Sequence, residues 1–222
     1  MTSLRSLGSL VAIITMASLA VGCTSTGSSS ASQGYKRASI TGRQVQEASA
    51  DMRQAKAAIT QTVDAMDSLI NTPQVNMEPQ YKAFSSKVDD LNRRSEKARD
   101  RAVDLRAKRE EYLSTWRMQA EQIASPDLRQ RAIDRMAQIR GDFDQLAAKA
   151  RAAREAFGPF QTDLNDVRRY LGSDLTPGGV ASISDLVEKT RREEQAVQSA
   201  LDALIAELDR VAADISAKAP AP

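Results

Sequence analysis

The chain has 222 residues, 31 Lys+Arg against 29 Asp+Glu, a formal charge of +2, one cysteine and no histidine. Balanced, interspersed charge excludes the strong positive excess of a general nucleic-acid binder. One cysteine cannot close an intrachain disulfide, and the lack of histidine removes the commonest metal ligand and acid–base catalyst.

The first element reads as a signal peptide over residues 1–22. Arg5 gives a basic start, and residues 7–21, LGSLVAIITMASLAV, are apolar with small polar interruptions. This stretch is shorter than the roughly 20 residues that a spanning helix needs, and its layout is that of an export signal. Ala20-Val21-Gly22-Cys23 resembles the bacterial lipobox, although Leu19 stands four positions before the cysteine and Ala20 three, where leucine is usual. The resemblance implies lipidation of Cys23 and acylation of the new amino group, and more than one chain gives stable anchoring. Thr24, where Asp would favour inner-membrane retention, implies an outer-membrane protein facing the periplasm if the source is Gram-negative. Residues 23–35 then form the lipidated cysteine and a flexible Ser/Gly-rich tether, too polar to bury the area that ordering requires.

Four helices are expected over residues 36–216, at about 36–71, 79–124, 126–171 and 180–216, followed by a disordered tail at 217–222. Helix-forming Ala, Leu, Arg, Glu, Gln and Met abound, and aromatics make up 4% of the chain. No alternating β-branched run suggests a strand. Pro73 and Pro79 end the first helix. Ser125-Pro126 is an N-cap followed by proline at the first helical position. The stretch 172–179, GSDLTPGG, ends the third helix.

Apolar residues recur at three- and four-residue spacing along each helix, which calls for coiled-coil packing. In the second helix the stripe is Tyr81, Phe84, Val88, Leu91, Ser95, Ala98, Ala102, Leu105, Arg109, Tyr112, Trp116, Gln119 and Ile123. In the third it runs from Ala132 through Met136, Ile139, Phe143, Leu146 and Phe160 to Leu171. Extra apolar residues such as Val63, Ile70, Ile133 and Leu186 widen the stripes, which favours a bundle over a bare zipper. The expected fold is all-α: an elongated, antiparallel up-down-up-down four-helix bundle. The middle helices are longer by about two turns, so a two-helix tip at roughly 115–137 should protrude at the end that carries the tether. Gly158-Pro159 lies inside the third-helix repeat. The unbroken register favours a kink there, with a chain reversal as the alternative.

No residue set points to catalysis, a metal or a cofactor. Adjacent carboxylates such as Glu110 and Glu111 point apart on a helix. The densest basic block comprises Arg93, Arg94, Lys97, Arg99, Arg101, Arg106, Lys108 and Arg109. It reads first as a solvated face and second as a binding surface for anionic lipid or cell-wall polymer. Tyr112 and Trp116 fall near the base of the tip. Trp116 could plug the core where four helices thin to two, contact lipid or a partner, or stack on a ligand. Arg109 on the same stripe could pack its stem while its charge reaches the edge, with Glu194 as a candidate partner.

The whole mature chain resembles a bacterial family, domain of unknown function 2959. The matching features are the lipobox cysteine, Gly34-Tyr35-Lys36-Arg37, Arg43-Val45, Tyr81, Ser95-Glu96-Lys97-Ala98, Leu128-Arg129 and Pro159. Members typically carry a polar Asn- and His-containing turn before the fourth helix. Here residues 171–179 read LGSDLTPGG, so no role of that turn carries over. The resemblance implies a helical lipoprotein and supplies no activity. The expectation is a non-catalytic envelope lipoprotein that serves as a structural or adaptor module, with an envelope protein or a second copy as partner. The alternative is a module binding anionic lipid or cell-wall polymer.

Overall fold

A computed structural model describes residues 26–71 and 76–216, with side chains over 34–71 and 76–215. The signal stretch, Cys23, the 72–75 turn and the 217–222 tail lie outside the described residues. The fold is an elongated all-α bundle of five helices: α1 Thr26–Asn71, α2 Glu78–Glu121, α3 Pro126–Ser173, α4 Pro177–Ser182 and α5 Ser184–Ser216. Helix α1 packs on α2 and α5, and α3 packs on the same two helices.

The core follows the three–four spacing. Val45, Ile59, Met66 and Leu69 of α1 are buried against Val187, Val197, Leu208 and Val211 of α5. Phe84, Val88 and Leu91 of α2 and Phe160, Leu164, Val167 and Leu171 of α3 fill the core at the end opposite the α2–α3 turn. Burying each such side chain stabilises the fold by about 1.5–3 kcal/mol relative to leaving it in water. Two buried threonines return their hydroxyls to their own helices: Thr62 donates to the Ala58 carbonyl at 2.7 Å and Thr190 to the Leu186 carbonyl at 2.8 Å. Neither donor is left unsatisfied.

A polar ladder runs beside the apolar seam between α1 and α5. Ser49 donates to Asp209 at 2.6 Å, Lys56 pairs with Asp202, Gln198 donates to Thr60 at 3.0 Å, and Arg191 donates to Asp67 at 2.7 Å. Each step up α1 is matched by an equal step down α5: 49, 56, 60 and 67 against 209, 202, 198 and 191. The same opposed order holds between α2 and α3, where Asp89 pairs with Arg168 and Arg109 with Asp144. Between α3 and α5, Asp142 pairs with Arg210 and Asp163 with Lys189.

Several boundaries differ from expectation. Helix α1 begins at Thr26, so helical backbone covers most of the stretch expected as a tether. Extending an existing helix adds one hydrogen bond per residue fixed, which lets a Ser/Ala-rich flank continue it. The expected fourth helix is two helices. Thr176 accepts from the Gly179 amide at 3.0 Å as an N-cap and Pro177 opens α4, the same device as Ser125 and Pro126 at α3. The chain leaves helical geometry at Ile183, with φ −108° and ψ 11°, and α5 starts afresh. Gly179 is required for this turn, since an added Cβ would fall 2.2 Å from the Asp174 carbonyl oxygen. Pro159 lies inside a continuous α3, so no chain reversal occurs at Gly158-Pro159.

The expected two-helix tip is shorter and is not bare. Arg37 of α1 donates to Gln119 at 2.7 Å, and Arg135 pairs with Asp214 of α5 at 3.3 Å. Arg37 and Asp214 both fall inside the helices expected at 36–71 and 180–216, so those helices reach further along α2 and α3 than their lengths suggested.

Candidate functional site

The basic block lies on the part of α2 that is least buried. Between Leu91 and Leu113 no α2 residue is fully buried, although the three–four repeat continues through it. The stripe positions there are Ser95, Ala98, Ala102, Leu105 and Arg109; the first three are too small to fill the seam, and only Leu105 adds a large apolar side chain to it. A shallow groove open to solvent lies there between α1 and α2, lined by Asp51, Met52, Ala55, Arg94, Lys97 and Ala98.

Five of the eight cations are neutralised within the chain. Arg93 and Arg94 share Asp90 at 3.2 and 2.7 Å, and these guanidinium groups, Arg94 foremost, hold the Asp90 carboxyl below its usual range. Arg101 reaches Asp51 at 3.1 Å, Lys108 reaches Glu111 at 3.0 Å, and Arg109 reaches Asp144 at 3.1 Å. Arg109 therefore does not meet Glu194, which accepts instead from Gln198 at 3.3 Å. Lys97, Arg99 and Arg106 are exposed and make no ion pair among the described residues. Val103, on the same outer face as Arg99 and Arg106, is also exposed.

Tyr112 and Trp116 are half-buried against the core, with ring centroids 5.7 Å apart and planes at 73°. An edge-to-face pair of this kind adds about 0.5–1.5 kcal/mol beyond burial. Burial pushes the Tyr112 phenol up, partly opposed by Arg135 and Arg37.

Two polar clusters on the α3–α5 seam were not picked out from the sequence. Asp163 accepts from Lys189 at 2.7 Å, and Glu193 lies 3.3 Å from the same ammonium. The Glu193 carboxyl is raised, first by burial and then by Asp163, and its Oε2 is buried without a hydrogen-bond partner. Asp142 accepts from Arg210 at 2.9 Å, while its Oδ2 is buried and unpartnered. Glu207 and then Asp142 raise the Arg210 guanidinium further above its usual value. The available signal was a carboxylate next to the stripe positions Phe143 and Leu164, on the side facing the broad apolar face of α5.

Among the described residues, no group of three or more His, Cys, Asp or Glu could hold a metal ion, and no helix is long and apolar enough to cross a membrane. Residues 28–216 match the profile of a family described as "Protein of unknown function (DUF2959)". The chain belongs to this family. No curated protein and no solved structure matches it. Membership in this family assigns no reaction to the two polar clusters or the cationic segment.

Proposed function

We propose that this DUF2959 protein is a non-catalytic envelope lipoprotein, held by lipid on Cys23, whose bundle serves as a structural or adaptor module for another envelope protein or a second copy. The body is read as an antiparallel up-down-up-down four-helix rod with coiled-coil packing, α4 and α5 together forming the fourth arm. The opposed order of the cross-helix pairs supports this reading. The observation that carries the function is the use of the interior: seams between four long helices are packed by apolar side chains at three–four spacing along most of their length, α2 between Leu91 and Leu113 excepted. Catalysis needs converging polar groups in a sheltered chamber, whereas a packed rod offers long outer faces to other proteins. The test is mass spectrometry of the N-terminal peptide of the membrane-extracted protein, with photocrosslinkers placed along the exposed faces in cells. A diacylglyceryl-modified Cys23 and a recurrent crosslinked protein are expected. An unmodified Cys23 would remove the anchor, and crosslinks to no protein would remove the adaptor role.

A second reading is favoured by the cations Lys97, Arg99 and Arg106, which make no ion pair among the described residues. Exposed cations are drawn to anionic surfaces, so this segment would hold anionic lipid or cell-wall polymer. Charge reversal of all three with unchanged retention on such material would eliminate that role.

A further inference from the structure

The exposed apolar surface of the bundle is concentrated at one end. Of the seven large hydrophobic residues that are exposed among the described residues, five lie around the α2–α3 hairpin: Tyr35, Ile40, Met118, Leu128 and Ile133. Met118 and Leu128 are 57% and 58% exposed on the two sides of the turn, which is open enough for either to enter another phase without unpacking the core. The pair Arg135–Asp214 lies two residues before Ser216, where the described part of α5 ends. Beyond that level the described residues belong to α1, α2 and α3. Lys36, Arg117, Arg131 and Arg140 lie on the same stretches of α1, α2 and α3 as the apolar residues, are exposed and make no ion pair among the described residues, against Glu121, Asp127 and Asp134, which make none either.

We propose that this hairpin end is a membrane-contact surface that rests in the headgroup layer of the bilayer holding the Cys23 lipid. The proposal rests on the lipid-anchor reading above and adds an orientation to it. Only Thr24 and Ser25 separate Cys23 from the start of α1. Nine further residues lead from Thr26 to Tyr35, about 14 Å along a helix, so the hairpin stays within reach of the surface when the rod leans. Isolated apolar side chains interspersed with cations suit this boundary: Met and Leu enter the acyl margin while Arg and Lys stems snorkel to phosphate. A protein partner would favour a continuous apolar patch with few charges at its centre. Here apolar and cationic residues are interspersed along the exposed stretches of α1, α2 and α3.

The test uses the full chain in vesicles of phosphatidylglycerol and phosphatidylethanolamine doped with a headgroup nitroxide lipid. Trp116, the only tryptophan, is replaced by Phe, and a single reporter is placed by Leu128→Trp or, at the far end, Tyr170→Trp. Quenching at 128 but not at 170 is expected. Arg117→Glu with Arg131→Glu should weaken vesicle binding of a Cys23→Ser protein by about tenfold, given the attraction of each basic group to an anionic surface. Flotation of the protein with and without Cys23→Ser separates the two readings. A chain that floats through Cys23 but shows equal reporters at 128 and 170 overturns the contact and leaves the anchor. A Cys23→Ser protein that floats as well as the unaltered chain and is quenched at 128 overturns the anchor and leaves the contact. A chain that neither floats nor is quenched overturns both. A hairpin reporter shielded by self-association, seen as a dimer in light scattering without lipid quenching, also overturns the contact. If the tryptophan variants misfold, hydrogen exchange on the unaltered protein decides: amides over 118–133 should gain protection on vesicles, and unchanged exchange there counts against the proposal.

Discussion

Gly179 lies so close to Asp174 that a Cβ on it would sit 2.2 Å from the Asp174 carbonyl oxygen and 2.7 Å from its carboxyl carbon. The carbonyl is backbone, so relief requires moving the turn that joins α3 to α4. Gly179→Ala should therefore destabilise the protein by about 2–4 kcal/mol, at or above the usual range for overpacking. Gly141 gives the contrast, being helical with nothing within 4 Å of an added Cβ. Gly141→Ala should stabilise by about 0.5–1 kcal/mol. Urea unfolding of both variants checks the pair.

Pro159 offers no N–H to the carbonyl of Glu155 within a helix that runs unbroken from Pro126 to Ser173. Interior proline costs about 3 kcal/mol, offset in part by the stiffer unfolded chain. Pro159→Ala should raise stability by about 1–2 kcal/mol. An unchanged or lower melting temperature would show that the proline ring itself contributes to the packing beside Phe160.

Ser49 is 1% exposed, donates to Asp209 at 2.6 Å and accepts from Arg53 at 2.9 Å. Asp209→Ala strands a buried hydroxyl and removes the carboxylate that Arg53 also reaches. The expected loss is about 1–3 kcal/mol. The exposed pair Arg169–Asp166, at 2.9 Å, should give less than about 0.5 kcal/mol when cut. Single and double variants measured by denaturant melts would separate these contributions.

Glu193 sets one pH dependence. Its carboxyl is raised in the folded protein by burial and by Asp163. The folded state then holds that proton more tightly than the unfolded state. The linked stability is fully present below the unfolded pKa and is lost as pH rises through the folded one. Asp90 acts in the opposite sense lower down: its carboxyl is depressed by Arg94, so its contribution is present above the unfolded pKa and is lost as pH falls through the folded one. Glu193→Gln should raise stability at neutral pH, by less than about 1 kcal/mol given partial solvation, and flatten the slope just above pH 4.5. A steeper slope in that variant would assign the effect elsewhere.

The features that are legible in the sequence are those set by local chemistry. Ser125-Pro126 marks a helix start because a hydroxyl acceptor and a residue without an amide donor suit those two positions, and the structure has them there. The α5 stripe from Val187 to Ile215 is legible because large side chains occupy it almost throughout. The α2 stripe between 92 and 112 misleads because periodicity marks direction but not reach: Ala98 and Ala102 point along the seam without filling it. Thr176-Pro177 carries the same start signal as Ser125-Pro126, but the adjoining glycines make the segment read as a breaker. Asp163 and Asp142 are hidden from sequence reading because their partners, Lys189 and Arg210, come from a helix distant in the chain.

The matched steps of the α1–α5 ladder bear on how the body carries load. Four polar contacts spaced along about 27 Å of helix share one phase, so axial displacement must break them together rather than in sequence. A shift of one heptad would re-form the apolar seam and one carboxylate contact, Ser49 with Asp202 or Lys56 with Asp209, but would take Arg191 away from Asp67. Pulling on the two ends of the rod should therefore give a single steep rupture in force spectroscopy, whereas a joint free to creep would yield in stages.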